Sequence, residues 1–306
     1  MQVGGKPDGA WGGDSGGLFG PADEVKVMQA LREAVRRGVT LIDTGYWYGQ
    51  ARSEEVIGKA VQSLPRQAYF LSLSAGRYEL DFQRTDEYRS SNLLRSINDS
   101  LRRLRLKQVD IIQLQVHDSD FAPEDETILT ESLPVLELLK KKGVTKAIAL
   151  GGYSLSKLLS TLEKTMTKID AVFVYGRGTL NDGTLGKYIA QFQQFGVAIV
   201  NGSATSGGLL TNRGPPSWHI APRDVAEACR QAASYCQSKD TSFGKLAVNY
   251  AADFPGRIIR RHLEPLDNRH WEKADVRKYW QRLKREGLPT LKHKHRPHWS
   301  AEPRNG

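Results

Sequence analysis

Segments with helical spacing and short apolar segments alternate along almost the whole of this chain, and that alternation restricts the fold more than any other feature. "ADEVKVMQALREAVRRGV" places apolar residues at Val25, Met28, Leu31 and Ala34 and stops at Gly38, a helix followed by its terminating glycine. "TLIDTG" then reads as a short strand, "RSEEVIGKAVQSL" as a helix and "YFLSLSA" as a strand. The order repeats through the helix "SNLLRSINDSLRRLRL" and the strand "VDIIQLQVH", then through "ILTESLPVLELLKKKG" and "TKAIALGGY". It continues as "LSKLLSTLEKTM" and "IDAVFVYG", "LGKYIAQFQQFG" and "VAIVNGS", and finally "DVAEACRQAASYCQ" and "GKLAVNYAADF". Short, continuously apolar strands separated by helices are the pattern of parallel βα units whose sheet is covered on both faces.

Two α/β architectures satisfy such a list, an open doubly wound sheet and a closed (β/α)8 TIM barrel. No G-x-G-x-x-G opens the first helix, so the dinucleotide fingerprint of the open sheet is absent. Polar residues instead follow strand after strand: Asp43 and Tyr48, His117 and Asp118, Tyr153, Tyr175 and Arg177, Asn201 and Ser203. In a barrel the loops after the strands converge on one face, so these residues share a mouth. The barrel is therefore the expected fold.

At 306 residues and 39% hydrophobic, the chain can bury one large core, and one catalytic-size domain is expected over residues 1–256, with 1–20 irregular. No run of 18 apolar residues suggests a membrane span, and "MQVGGKPDGAWGG" lacks the plan of a signal peptide, so a cytoplasmic protein without membrane contact is expected. Cys229 and Cys236 lie two helical turns apart, beyond disulfide reach, and read as reduced packing residues. Net charge is +10, yet the segment 257–306 holds 14 Lys or Arg against 6 Asp or Glu, so the body of the chain is nearly neutral. That segment reads as a basic C-terminal extension with one helix. Its "KHKHRPHW" run, from Lys292 to Trp299, reads as a solvated basic end rather than a nucleic-acid reader, and its alternating histidines preorganise no metal site.

The residues become specific in "GVTLIDTGYWYGQARSEEVIGKAV", where a strand delivers Asp43, Tyr48 follows five residues later and a Ser-Glu helix comes next. "SLRRLRLKQVDIIQLQVHDSDF" adds a helix and a strand ending in His117. Together, and in this order, they resemble the signature of the aldo-keto reductase family. "GLLTNRGPPSWH" and the overall spacing are most similar to the family's L-galactose dehydrogenase branch and its animal relatives, and the resemblance runs from about Gly20 to Phe254.

That resemblance implies hydride transfer between NADP or NAD and a sugar or other small carbonyl or alcohol. NADP is the family's more frequent cofactor. Tyr48 would be the proton donor or acceptor, Asp43 the buried carboxylate beside it, and His117 the group that orients the carbonyl and stabilises charge on its oxygen. Tyr46, Trp47 and Tyr78 would line the substrate pocket, and Gly151, Gly152, Tyr175, Ser203, Gly208 and Leu209 would meet the cofactor. A monomer acting on a small molecule is implied.

Three departures accompany the match. Relatives carry a lysine in a Thr-Lys-x-Gly-Arg-Tyr stretch where this chain reads Leu73, Ser74, Ala75, Gly76, Arg77, Tyr78, so the lysine falls on Ser74. That cation lowers the phenol's pKa from its reference of about 10, and serine supplies no charge. The strand that ends in Gly-x-Ser in relatives ends here in Gly151 and Gly152. Finally, "DFPGRIIRRHLEPLDNRHW" replaces roughly forty residues of relatives, and the first twenty residues lack a clear strand, so the barrel is expected to be incomplete at strands one and eight. The alternative to an oxidoreductase is a catalytically impaired relative serving as a binding protein.

Overall fold

Asp23 begins the first helix by accepting hydrogen bonds from the backbone N–H groups of Val25 (3.0 Å) and Lys26 (3.2 Å), and from there helix and strand alternate as the sequence predicts. The computed structural model describes residues 23–76, 88–116, 125–216, 219 and 221–254. Helix α1 (Glu24–Arg36) buries Leu31 and Val35 and ends at Gly38, whose φ of 93° is the left-handed conformation that a glycine adopts without a steric penalty. Strand β1 (Leu41–Gly45), helix α2 (Arg52–Val61), strand β2 (Phe70–Ala75), helix α3 (Ser90–Leu104) and strand β3 (Ile111–Gln115) follow. Next, α4 (Asp125–Thr127) passes through a π-helical turn, Ile128–Ser132, into α5 (Leu133–Lys141). Pro134 explains that turn, because it has no N–H to continue the ordinary ladder, and Leu133 donates five residues back to Ile128 O instead. Strand β4 (Ala147–Gly152), α6 (Leu155–Lys164), β5 (Ala171–Tyr175), α7 (Ile189–Gln194), β6 (Ala198–Gly202), α8 (Arg223–Ser238) and α9 (Phe243–Ala252) complete the described chain.

All six strands are parallel and pair in sequence order, β1-β2-β3-β4-β5-β6, which is the order of a (β/α)8 barrel wall. The register sets Asp43 beside Ser72 and Gly45 beside Ser74, and then Ser74 beside Gln113. Alternation along each strand splits the side chains into two sets. Ile42, Leu71, Leu73, Ile112, Leu114, Ile148, Leu150, Val172 and Val174 face outward into the main core with the helices. Ile111, Ala147, Ala149, Ala171, Phe173, Tyr175 and Ala198 face inward with Leu41, Phe70 and Val200. The alanines among them fit a curled sheet, whose concave face converges and leaves little volume between strands. Two buried carboxylates tie neighbouring strands together: Asp110 Oδ2 accepts from Leu71 N (2.9 Å) and Arg66 Nη2 (2.5 Å), and Asp170 Oδ2 from Ile148 N (2.8 Å) and Lys140 Nζ (2.5 Å).

One element differs from expectation. "GKLAVNYAADF" reads as a seventh strand in the sequence, whereas Phe243–Ala252 is helix α9. Its buried residues, Phe243, Ala247 and Ala251, recur every four positions, and Ser242 caps the helix by accepting from Lys245 N at 3.3 Å. The helix packs with α8 in a satellite core of Leu209, Leu210, Cys229, Ala233, Phe243 and Ala247. Cys229 is buried and Cys236 half-buried on α8; both are free, and burial pushes each thiol up from its ordinary pKa. Among the described residues no helix is long and apolar enough to cross a membrane. The positions of barrel strands one and eight, Arg77, Tyr78, His117, Asp118 and the basic segment 257–306 lie outside the described residues.

Candidate active site

Strand β1 carries Asp43 on its inner face and hands the chain to a tight turn that brings Tyr48 back over the strand's carboxyl end. Tyr48 N donates to Gly45 O at 3.1 Å, Ala51 N to Tyr46 O at 2.7 Å and Ser53 N to Tyr48 O at 3.2 Å, so the turn is fixed from both sides. A 2.9 Å hydrogen bond between Thr44 Oγ1 and Ser53 Oγ then ties the start of α2 to β1. The result places the Tyr48 phenol 3.5 Å from Asp43 Oδ2, at the weak limit of a hydrogen bond, with Asp43 only 7% exposed.

Ser74 lies across from this pair. Its backbone is the register partner of Gly45, and a Cβ on Gly45 would stand 2.8 Å from Ser74 Cβ, so β1 and β2 approach this closely only because residue 45 has no side chain. On the next strands, the inward side chains Gln113 and Gln115 of β3 and Tyr175 of β5 fill the space. Gln113 Nε2 stands 3.1 Å from Asp43 Oδ1, 2.6 Å from Ser74 Oγ and 2.8 Å from the Tyr175 hydroxyl. Tyr175 donates to Gln113 Oε1 at 3.1 Å, and Gln115 Nε2 reaches Ser74 Oγ at 3.4 Å and the Tyr175 hydroxyl at 3.3 Å. Glycines make the room: a Cβ at Gly151 would lie 2.4 Å from Gln113 Oε1, and one at Gly202 would lie 2.8 Å from the Tyr175 ring.

The electrostatics follow from burial. The Tyr48 phenol is pushed well above the usual tyrosine range, first by desolvation and then by the neighbouring Tyr175 and Asp43, while a hydrogen bond from Ser74 pulls the other way. Tyr175 is raised in the same manner, by desolvation and then by Asp43. Both phenols are therefore neutral, and Tyr48 is an acid in its resting form.

Asp43, Tyr48, Ser74 and Tyr175 are thus brought together, while His117 and Tyr78 lie outside the described residues. Tyr46 turns to the helix side, where the Arg103 guanidinium lies 5.1 Å over its ring and the outer core packs against it. Trp47 is half-buried in the turn beside Tyr48. Gly151 and Gly152 serve close packing, the first against Gln113 and the second against Val116 O, 2.6 Å from where a Cβ would stand. Ser203 takes a positive φ of 58° at the end of β6, and Gly208 one of 97° in the following loop, whereas the Leu209 side chain enters the satellite core. His219 braces that loop: its Nδ1 accepts from Ala221 N (3.1 Å), which leaves Nε2 to donate to Ser206 O (2.9 Å).

Sequence reasoning missed Gln113 and Gln115, and it set Tyr153 at the mouth without a role. The two glutamines had a signal, since "DIIQLQV" places amides on alternate positions of an otherwise apolar strand, which puts both on one face. Tyr153 is 56% exposed just past β4 and tilts over Tyr175 with ring centroids 5.4 Å apart, offering a flat aromatic face at the mouth. Gly176, directly after Tyr175 and with a positive φ of 70°, has no heavy atom of the described residues within 4 Å of where a Cβ would stand. An aromatic face with open backbone beside it fits a planar ring carrying phosphates, such as a nicotinamide dinucleotide.

Comparison with known proteins agrees with this arrangement. The model of the Aldo/keto reductase family matches residues 8–260. L-galactose dehydrogenase of Arabidopsis thaliana is 34% identical over 239 residues, 77% of this chain and 73% of the plant protein. The solved glycerol dehydrogenase of Gluconobacter oxydans superposes with a TM-score of 0.60 at 18% identity, over 97% of this chain and 94% of that one. An aldo/keto reductase of Klebsiella pneumoniae, solved with NADP and acetate, superposes with a TM-score of 0.55 at 17% identity, over 80% of this chain and 85% of its own. The signature around Asp43 and Tyr48, the parallel barrel wall and these matches agree: the chain belongs to the aldo/keto reductase family.

Proposed function

We propose that this protein is an NADP- or NAD-dependent oxidoreductase that reduces the carbonyl of a sugar or other small aldehyde, with Tyr48 as the proton donor. The observation that carries the reading is the Tyr48 phenol, kept protonated by burial beside Asp43 and Ser74 at the carboxyl end of a parallel sheet. When bound, the nicotinamide cofactor supplies the hydride; Tyr153, Tyr175, Ser203, Gly208 and the backbone at Gly151, Gly152 and Leu209 would hold it. NADP is favoured by the ligand named for the Klebsiella pneumoniae structure, and a sugar-type substrate of the L-galactose dehydrogenase branch by the plant relative.

Tyr48 O–H donates to the carbonyl oxygen as negative charge gathers there, and His117, by family position, adds a second hydrogen bond to the same atom. Trp47, half-buried beside Tyr48, and Tyr78, by family position, form the proposed substrate side, whereas Tyr46, packed under Arg103 on the helix side, does not reach it. Because Ser74 carries no charge, reduction, which uses the phenol as an acid, is favoured over alcohol oxidation, which needs phenolate. Ser74 also motivates a second reading, a catalytically impaired relative that retains a small-molecule pocket.

The two readings separate in one experiment. Purified protein is mixed with NADPH or NADH and a panel of aldoses and simple aldehydes, and compared with Tyr48→Phe. Turnover that falls roughly 10²- to 10⁴-fold in the variant is expected for a general acid. Cofactor binding by fluorescence without turnover would favour the impaired relative, and neither binding nor turnover would refute the oxidoreductase.

A further inference from the structure

The side chain that joins Asp43 to Ser74 is Gln113, on the strand next to Ser74. Gln113 is completely buried, and a glycine on β4 leaves it room, since a Cβ at Gly151 would collide with the Gln113 amide. Its orientation is determined chemically: a carboxylate only accepts, so the amide nitrogen, not the oxygen, faces Asp43 Oδ1 at 3.1 Å. The same nitrogen lies 2.6 Å from Ser74 Oγ, and Gln115 Nε2 approaches that oxygen at 3.4 Å; Tyr175, 2.8 Å from the nitrogen, donates to Gln113 Oε1 instead, which leaves both amide hydrogens for Asp43 and Ser74. With its lone pairs facing amide donors, the Ser74 hydroxyl has its own proton left to give.

We propose that Gln113 is a positioning residue which, by donating to both Asp43 and Ser74, aims the Ser74 hydroxyl proton at the Tyr48 oxygen, so that a neutral amide-hydroxyl relay stands where a cation is missing. The relay stabilises the phenolate that forms when Tyr48 releases its proton, and it does so through one oriented hydrogen bond. The charged or titratable groups facing Tyr48 among the described residues are Asp43 on β1, Tyr175 on β5 and Tyr153 beyond β4. The proposal rests on the reading of Tyr48 as the acid but is tested without catalysis.

The test incorporates a fluorotyrosine at position 48 alone, whose more acidic phenol titrates in an accessible range, and follows its ionisation by fluorine NMR in the full-length protein. Ser74→Ala and Gln113→Leu are each expected to raise the midpoint by about one pH unit, the worth of one hydrogen bond to a charged oxygen. The double variant is expected to shift no further than either single one, because both remove the same bond. An unmoved midpoint in Gln113→Leu, or shifts that add in the double variant, would overturn the relay; additive shifts would mean that Gln113 acts through Asp43 alone. If Gln113→Leu does not fold, Gln113→Met, which also removes the donors, is read in its place. The titration needs neither cofactor nor turnover, so its result stands apart from that of the activity assay.

Discussion

In the proposed site, Ser74 would set the direction in which Tyr48 works. A phenol beside a carboxylate in a dry pocket resists ionisation, because both burial and the neighbouring charge oppose a second negative centre. Ser74 offsets this with a hydrogen bond, where a lysine would offset it with a full charge. Ser74→Lys is therefore expected to lower the Tyr48 pKa and to raise alcohol oxidation by roughly 10²-fold or more, with a smaller gain in carbonyl reduction. Rates in both directions against pH check this: the oxidation limb must move to lower pH in the variant. The opening needed by the longer side chain is the volume now held by the Gln113 amide, so Ser74→Lys with Gln113→Ala is expected to surpass Ser74→Lys alone. An oxidation rate that Ser74→Lys leaves unchanged would locate the deficiency elsewhere in the pocket.

At the level of elements, the strands were readable because their two faces are chemically distinct. Ile42, Leu71, Ile112 and Val172 alternate with inward residues, and the helices between them carry caps and apolar stripes that the sequence displays directly. Asp43, Tyr48 and Ser74 were legible because local spacing and a family signature fix them. Gln113 was not, because its role arises from register: only the pairing of Gly45 with Ser74 and of Ser74 with Gln113 carries it to Asp43, and no pattern within one strand contains that pairing. Helix α9 was misread for a related reason. "KLAVNYAA" alternates enough to pass for a strand, while the four-residue recurrence of Phe243, Ala247 and Ala251 and the Ser242 cap decide for a helix. Removing that cap by Ser242→Ala is expected to destabilise the protein by about 1 kcal/mol. Urea denaturation would show this as a lower midpoint at constant slope, and an unchanged midpoint would mean that packing against α8 alone sets the helix.

Over the whole molecule, the buried phenols couple stability to pH. Tyr175 is enclosed by β3, β4 and β6, and its pKa in the fold is raised by desolvation and by Asp43; Tyr48 is raised likewise. In the unfolded chain each titrates near the reference value of about 10. A group whose folded pKa lies above its unfolded one contributes stability that is fully present below the unfolded value, and loses it as pH rises past that value, because only the unfolded chain then releases the proton. Each such tyrosine thus adds about 1.4 kcal/mol per pH unit to the fall in stability above pH ~10. Two such phenols in one polar cluster make this site a source of alkali sensitivity. Tyr175→Phe removes one of them, so its unfolding free energy, lower at neutral pH through the lost bonds to Gln113 and Gln115, is expected to fall less steeply above pH ~10 than that of the unmodified protein. Denaturant titrations at several pH values between about 8 and 11 measure the two slopes. Parallel slopes would mean that Tyr175 ionises in the native state as readily as in water, and the dry polar cluster described around Asp43 would then not exist in solution.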